Sequence, residues 1–392
     1  MLVKHLGEQG LLKRIQTFCP TGVIGDDAAL LTVSPGRSLV VTEDLLVDGV
    51  HFSVGLASPG VITTSPADVG WRAAAANLSD LAAMGAASLG ITVGLGLPGD
   101  LPVDWIEQLY QGMTDCLNRY DTAIVGGDLC RSPVFTVAIA AFGEVQPSRA
   151  LRRATAQPGD VILVTGPHGA SRAGLELLLH PDQGDGLTEG DRAALIRAHQ
   201  RPVPRLDVIP LLWDCVAEEG ESERGGDGER ERGGEQGSNS DEERGRGGEG
   251  ERERSATTPL PHHPVTPPPR YPTTPSLTAM DSSDGLADAV LQICRASGVG
   301  AVLRRRQIPL PAGLAGWVGE PQAISWALYG GEDFELVLCV PGAIARALQT
   351  RLPGSAIVGE IVSGQDVILH DENGETPDEI LSLDRGFQHF ES

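Results

Sequence analysis

Lysine is nearly missing from this chain: among 30 basic residues in 392, only Lys4 and Lys13 carry an ammonium group. A P-loop needs a Gly-rich turn ending in Lys, and a protein kinase needs a strand lysine over the nucleotide phosphates. Neither lysine has such a context, so both classes are excluded. Any nucleotide handled here must be held by metal ions and arginine. There is no CxxC pair among the six widely spaced cysteines, Cys19, Cys116, Cys130, Cys215, Cys294 and Cys339. That spacing excludes a zinc ribbon and a disulfide frame, and it fits reduced thiols. No apolar run is long enough to cross a bilayer. The N-terminal Leu2, Leu6, Leu11 and Ile15 alternate with charged residues as an amphipathic helix does, without the apolar core of a signal peptide. These features predict a cytoplasmic, soluble protein. A formal charge of -23 removes the basic footprint that nucleic-acid binding requires. No Ser-His-Asp or Cys-His arrangement is evident.

Carboxylates are abundant instead, and their placement is informative. Asp26 and Asp27 follow Gly25. Glu43 and Asp44 follow the apolar run 38–42, Asp128 follows Ala123-Ile124-Val125-Gly126-Gly127, and Asp281 and Asp284 follow Leu277-Thr278-Ala279-Met280. Asp80 lies in the helical stretch Asn77-Leu78-Ser79-Asp80-Leu81. Taken singly, each is an ordinary cap or turn residue. Collected at the ends of neighbouring strands, they would repel one another unless cations sat between them. Hard oxygen donors suit Mg²⁺, which takes one or two carboxylates per ion plus substrate phosphates. The set points to a polymetal phosphate site.

The length predicts two domains. Residues 1–147 alternate strands (38–42, 88–97, 122–126, 134–142) with helices (66–85, 103–119), which is α/β patterning. A second α/β segment, 148–392, opens with the strand 161–165 and a helix over 172–179. It is interrupted at about 218–275 by Glu/Arg/Gly/Ser repeats and a Thr/Pro/His tract with no periodic apolar face. We expect that insertion to be disordered, because nothing there offsets the entropy of ordering.

Gly94-Leu95-Gly96-Leu97-Pro98-Gly99 matches GxGxxG formally. Leu95 and Leu97 continue a strand, however, and the next helix starts too late to aim at a pyrophosphate. Gly126-Gly127-Asp128 is more specific: paired glycines let a backbone approach phosphate, and Asp128 can hold its cation. Asp281-Ser282-Ser283-Asp284-Gly285 reads as a capping box, as a phosphate-binding helix start, or as both. Gly330-Gly331-Glu332-Asp333 reads as a turn or a polar substrate clamp.

The strings GDDAALL (25–31), TEDLLVDGVHF (42–52), NLSDLAAMGA (77–86), VGGDLCR (125–131), MDSSDGL (280–286) and YGGEDFEL (329–336) occur in order. Together they resemble the thiamine-monophosphate kinase family, within the aminoimidazole ribonucleotide synthetase-like superfamily, over nearly the whole chain except the insertion. The resemblance implies a two-domain α/β fold whose N-terminal sheet forms a barrel-like core across a homodimer. It also implies ATP-dependent phosphorylation of thiamine monophosphate to thiamine diphosphate, with several Mg²⁺ ions. By motif position, Asp27, Asp44, Asp80, Asp128, Asp281 and Asp284 resemble the metal ligands, with Thr42 and Glu43 adding oxygens. Gly127, Asp128, Arg153 and Ser283 resemble the ATP contacts. His51, Glu332 and Phe387 resemble the substrate contacts. Glu43 stands where relatives often carry Thr, and Phe387 where they can carry Tyr, which keeps ring stacking but removes a phenolic hydrogen bond.

Chemistry agrees with that expectation. The second ionisation of a phosphate monoester lies near pKa ~6, so the attacking oxygen needs no general base at neutral pH. Catalysis then reduces to positioning and charge neutralisation, by direct in-line transfer without a phosphoenzyme. Other members of the superfamily are the second reading: selenophosphate synthetase, aminoimidazole ribonucleotide synthetase or the hydrogenase-maturation dehydratase. The first uses a reactive N-terminal Cys or selenocysteine with a nearby Lys, and Cys19 is flanked by Phe18 and Pro20. The dehydratase uses a C-terminal cysteine, whereas this sequence ends His389-Phe390-Glu391-Ser392. A non-catalytic nucleotide-binding scaffold is the reading from a different class, and the retained Asp set argues against it.

Overall fold

The computed structural model describes residues 1–21, 23–24, 28–227 and 277–386, with the backbone alone over 221–227. The first part contains α1 (Val3–Ile15), β1 (Ser38–Val47), α2 (Pro66–Ala83), β2 (Ala87–Leu97), α3 (Val103–Leu117), β3 (Ile124–Arg131) and β4 (Thr136–Val145). The second contains β5 (Val161–Val164), α4 (Ala170–Leu179), α5 (Glu189–Gln200), α6 (Val208–Asp227), β6 (Thr278–Asp281), α7 (Leu286–Ser297) and β7 (Gly300–Arg304). It ends with α8 (Leu314–Val318), α9 (Glu320–Tyr329), β8 (Leu336–Val340), α10 (Gly342–Arg351), β9 (Ala356–Val362), β10 (Val367–His370) and β11 (Glu379–Ile380).

Two sheets organise these elements. The first has the order β1-β4-β2-β3, and the second the order β11-β10-β7-β9-β5-β8-β6. In the first, alternation sends Ile91, Val93 and Leu95 of β2 and Val137, Ile139 and Ala141 of β4 to one fully covered face. Helices α2 and α3 contribute Val69, Leu78, Ile106 and Met113 to the same core. The opposite face carries exposed Leu39, Val41 and Leu45 on the edge strand β1.

Helix α2 starts at a capping box in which Ser65 accepts from the Asp68 amide and the Asp68 carboxylate accepts from the Ser65 amide, with Pro66 in the first turn. Its alanine-rich body is buried almost all round, the mark of a helix enclosed by neighbours on every side. Ala82 and Ala83 pack with Leu151, Leu163, Leu277 and Ala279 of the second sheet's region. The Trp71 indole N–H donates to the Pro202 carbonyl at 2.7 Å. One wall is therefore shared by the two halves of the chain.

The strands and helices expected from the sequence are present with shifted ends, and three of the shifts bear on the site or the insertion. β1 runs on to Val47, so Glu43 and Asp44 lie inside a strand and not after one. β3 runs to Arg131, so Asp128 is also a strand residue. Helix α6 continues through Asp227, past the expected start of the insertion at Glu218. The rest of the expected insertion lies outside the described residues. The GxGxxG match is a strand, as β2 runs through Leu97 and α3 begins only at Val103.

Candidate active site

Four carboxylates converge where β1, α2, β6 and the start of α7 meet. Asp44 shares the inner face of β1 with Thr42, whose hydroxyl donates to Asp80 on α2. Asp281, at the end of β6, accepts from Ser79 Oγ at 2.7 Å and from Ser283 Oγ at 3.1 Å. Asp284 stands exposed at the rim. Burial, and then the charges of Asp80, Asp281 and Asp284, push Asp44 up to about 7. Burial and Asp80 push Asp281 up to about 6, against hydrogen bonds from Ser79 and Ser283 and the charge of Arg153. Asp80 is raised by burial, opposed by the Thr42 hydroxyl and Arg153. Buried carboxylates that also repel one another are what a cation relieves. Among the described residues no group of three or more Asp, Glu, His or Cys side chains is arranged to hold a metal ion by itself. An ion placed here would have to complete its shell with water and phosphate oxygens.

Arg153 donates to Gln292 at 2.9 Å and lowers the pKa of Asp80, Asp281 and Asp288. It is a fixed cation beside the carboxylates. The capping-box reading of 281–285 does not hold: the N-cap of α7 is Gly285, at φ 106, with no side-chain cap. Asp281 is turned instead toward Ser79 and Ser283, which leaves the amide end of α7 uncapped by any side chain.

Asp128 does not join the cluster within this chain. Asp44 pairs with Ile139, Ile139 with Val93, and Val93 with Gly127. Three strand spacings put β1 and β3 roughly 14 Å apart, and the residue after Gly127 points to the other face. Asp128 is exposed there, lining a cavity of about 700 Å³ with Ile24, Ala28, Leu39 and Gly126. Gly127 has a packing reason of its own, since a Cβ on it would lie 2.1 Å from the Val93 carbonyl oxygen. Glu43 sits at the cavity rim, but alternation turns its side chain away from Thr42 and Asp44. Asp27 and Phe387 lie outside the described residues.

A cavity of about 840 Å³ opens from the carboxylates and is lined by Asp44, His51, Arg72, Ser283, Tyr329 and Glu332 among others. His51 Nδ1 accepts from the Val47 amide at 3.1 Å, which fixes the neutral ring's hydrogen on Nε2. Glu332 has φ 62, and its amide donates to the Ser283 carbonyl at 2.6 Å. Gly331 precedes it at φ 65, where a Cβ would lie 2.7 Å from that same carbonyl, so only glycine fits. Asp333 accepts from the Gly169 amide at 2.6 Å and the Ser171 amide at 2.8 Å, clamping this loop to the start of α4. Burial pushes Asp333 up to about 7 despite those amides.

The sequence reading missed Arg72. It is 1% exposed, lies within ion-pair distance of Glu332, and donates to the His199 carbonyl. The available clue was an arginine set in a run that is otherwise Gly, Trp and Ala. Tyr329 was also missed; its ring lies 4.6 Å from the Arg385 guanidinium, on the cavity wall.

The fold is a mixed α/β one of the AIR synthase-like kind: the model for "AIR synthase related protein, N-terminal domain" matches residues 25–145, the part that holds the first sheet. Similarity over the full length is more specific. The chain is 46% identical over 389 residues to the thiamine-monophosphate kinase of Synechococcus elongatus, covering 99% of this chain and 98% of that protein. It belongs to the thiamine-monophosphate kinase family. The crystal structure of the Stenotrophomonas maltophilia thiamine-monophosphate kinase superposes with a TM-score of 0.67 at 29% identity, covering 92% of this chain and 96% of that one. AaThiL complexed with AMPPCP and TMP superposes with a TM-score of 0.62 at 26% identity, over 97% and 98% of the two chains.

Proposed function

We propose that this enzyme transfers the γ-phosphoryl group of ATP to thiamine monophosphate, giving thiamine diphosphate. The observation that carries the reading is the meeting of Asp44, Asp80, Asp281 and Asp284 beside a cavity that Asp44 and Asp284 line together with Glu332. The relative complexed with AMPPCP and TMP supports the choice of substrates. Bound magnesium supplies charge neutralisation for the two phosphate groups, and the four aspartates are the residues that would hold it. Thr42 and Ser79 orient Asp80 and Asp281 for that task. Thr42's hydroxyl already donates to Asp80, so an oxygen of Thr42 is available to an ion only as an acceptor.

Arg153 and Ser283 face the same crevice and suit the ATP phosphates, Arg153 because a guanidinium pairs with phosphate oxygens. Gly127 and Asp128 are proposed as ATP contacts, and Asp27 and Asp128 as further metal ligands, from their motifs alone. His51, Glu332 and Phe387 are proposed to contact the thiamine moiety. The Glu332 carboxylate suits its cationic ring, and the His51 Nε2–H is a neutral donor. No base is needed, because the acceptor phosphate is largely ionised at neutral pH. The transfer is in line and direct. Trapping a labelled phosphoprotein during turnover would exclude it.

Two further proposals concern assembly. The division falls at 147/148, with the first sheet in the N-terminal unit. Exposed Leu39, Val41 and Leu45 form an apolar row on its uncovered face, which supports pairing of that face with a second copy to form a barrel-like homodimer. Sedimentation should give twice the chain mass; a monomer at micromolar concentration counts against the dimer. Among the described residues no helix is long and apolar enough to cross a membrane. We place the enzyme in the cytoplasm on that ground together with its reduced cysteines.

The functional test is a steady-state assay with ATP, thiamine monophosphate and magnesium. Thiamine diphosphate should form, and chelation with EDTA should abolish it. Nucleotide binding without product would favour the scaffold reading.

A further inference from the structure

Arg72, Ala76, Ser79 and Asp80 recur on one face of α2 at helical spacing. Eight residues at 1.5 Å each separate Arg72 from Asp80 by about 12 Å along the axis. One helix therefore supplies Asp80 to the carboxylate crevice and Arg72 to the cavity wall beside Glu332.

Arg72 is enclosed, with its side chain 1% exposed, whereas the Glu332 side chain is 32% exposed and reaches the cavity. The contact between them is an ion pair and not a well-aligned hydrogen bond, since Arg72 Nη2 has no hydrogen-bond partner. Nη1 of Arg72 is anchored on the His199 carbonyl. His199 in turn is tied through Nδ1 to Ser171 Oγ at 3.1 Å and lies 3.9 Å from Glu332. Burial, and then Arg72 and Arg172, hold His199 well below its usual pKa, so its ring is neutral. Among the described residues Arg72 is thus the charged partner within ion-pair distance of Glu332. The backbone of Glu332 is fixed by the Ser283 carbonyl and its left-handed φ, and its carboxylate meets Arg72 and, at 3.9 Å, His199.

We propose that Arg72 is a positioning residue for substrate specificity: its buried guanidinium holds the Glu332 carboxylate in the orientation that meets the cationic ring of a phosphorylated thiamine. This rests on the function proposed above. Arg72 touches no reacting atom. It acts through Glu332, and it should govern affinity for the acceptor and not for ATP.

The test is a double-mutant cycle on the full-length enzyme with ATP and magnesium. Arg72→Met should raise KM for thiamine monophosphate about tenfold, while kcat and KM for ATP change by less than about threefold. Arg72→Lys, which keeps a charge but loses the planar fork, should fall between. In a Glu332→Gln background, Arg72→Met should change KM by less than about twofold. Equal rises in both KM values, or multiplicative effects in the double variant, overturn the proposal. If Arg72→Met does not fold, as judged by its thermal transition, the same cycle is run with Arg72→Lys and read by the same criteria. Wild-type binding of thiamine monophosphate, measured by calorimetry beforehand, separates this outcome from failure of the functional reading: no wild-type binding rejects the function, and normal binding with an unchanged Arg72 variant rejects only the positioning role.

Discussion

Replacing Asp44 by Asn is expected to lower turnover by at least about a hundredfold while leaving the metal-free protein more resistant to heat. The two effects have one cause. Asp44 is pushed up to about 7 by burial and by Asp80, Asp281 and Asp284. Its ordinary carboxylate value is 3.8, so between that pH and 7 the folded protein holds a proton that the unfolded chain has released. More protons bound in the folded state means that stability falls as pH rises through this window, and that above it the ionised form costs roughly a few kcal/mol. A neutral amide removes the cost together with a ligand oxygen of negative charge. In the absence of divalent cations the Asp44→Asn thermal midpoint should lie several degrees above wild type at pH 8, and the gap should close at pH 4. Magnesium should raise the wild-type midpoint more than that of the variant. Near-normal kcat in Asp44→Asn, or an unchanged metal-free midpoint, contradicts the assignment.

The second large effect is expected at Asp333. Its two carboxylate oxygens each face a backbone donor, the amides of Gly169 and Ser171. Asparagine has the same shape but presents an NH₂ to one of them, so two donors would meet in a buried place. The expected loss is about 2–4 kcal/mol, from one charge-assisted bond and one orphaned amide. The loop carrying Glu332 is held against α4 by this clamp, so KM for thiamine monophosphate should rise along with the loss of stability. Denaturant unfolding gives the first number and steady-state kinetics the second. Asp333→Asn with wild-type values in both measurements would show that the clamp is dispensable.

Local patterning made most of the fold legible. Alternating residues located β1, β2, β3 and β4, and the 3.6-residue period located α2 and α3, each to within a few residues at most ends. Strand ends were misjudged where charge was taken as termination: Glu43 and Asp44 continue the alternation of β1, one to each face. That same parity decided which aspartates meet. Asp44 and Asp128 occupy adjacent register rows on opposite faces, a relation set by the pairing of four strands and absent from any single segment. Asp80, Asp281 and Asp284 were legible as candidates, but the Ser79–Asp281 hydrogen bond spans 202 residues of sequence, and only the packing of α2 against β6 creates it. Arg72 was hidden for the opposite reason, because a charged residue on a helix is ordinarily solvated. Its burial follows from α2 being enclosed by both sheets.

The spacing within α2 constrains how this chain can change length. Each residue turns a helix by about 100°, so a single insertion between Arg72 and Asp80 would swing one of them off the shared face. No nearby loop could absorb the error, because both ends of the segment are locked into surrounding structure. Between α6 and β6, by contrast, the sequence carries dozens of residues rich in Glu, Arg, Gly and Pro before the fully buried strand β6. Indel tolerance in this enzyme is therefore expected to be sharply uneven: α2 acts as a caliper whose jaws cannot be reset, while the low-complexity sequence between α6 and β6 should accept changes of length.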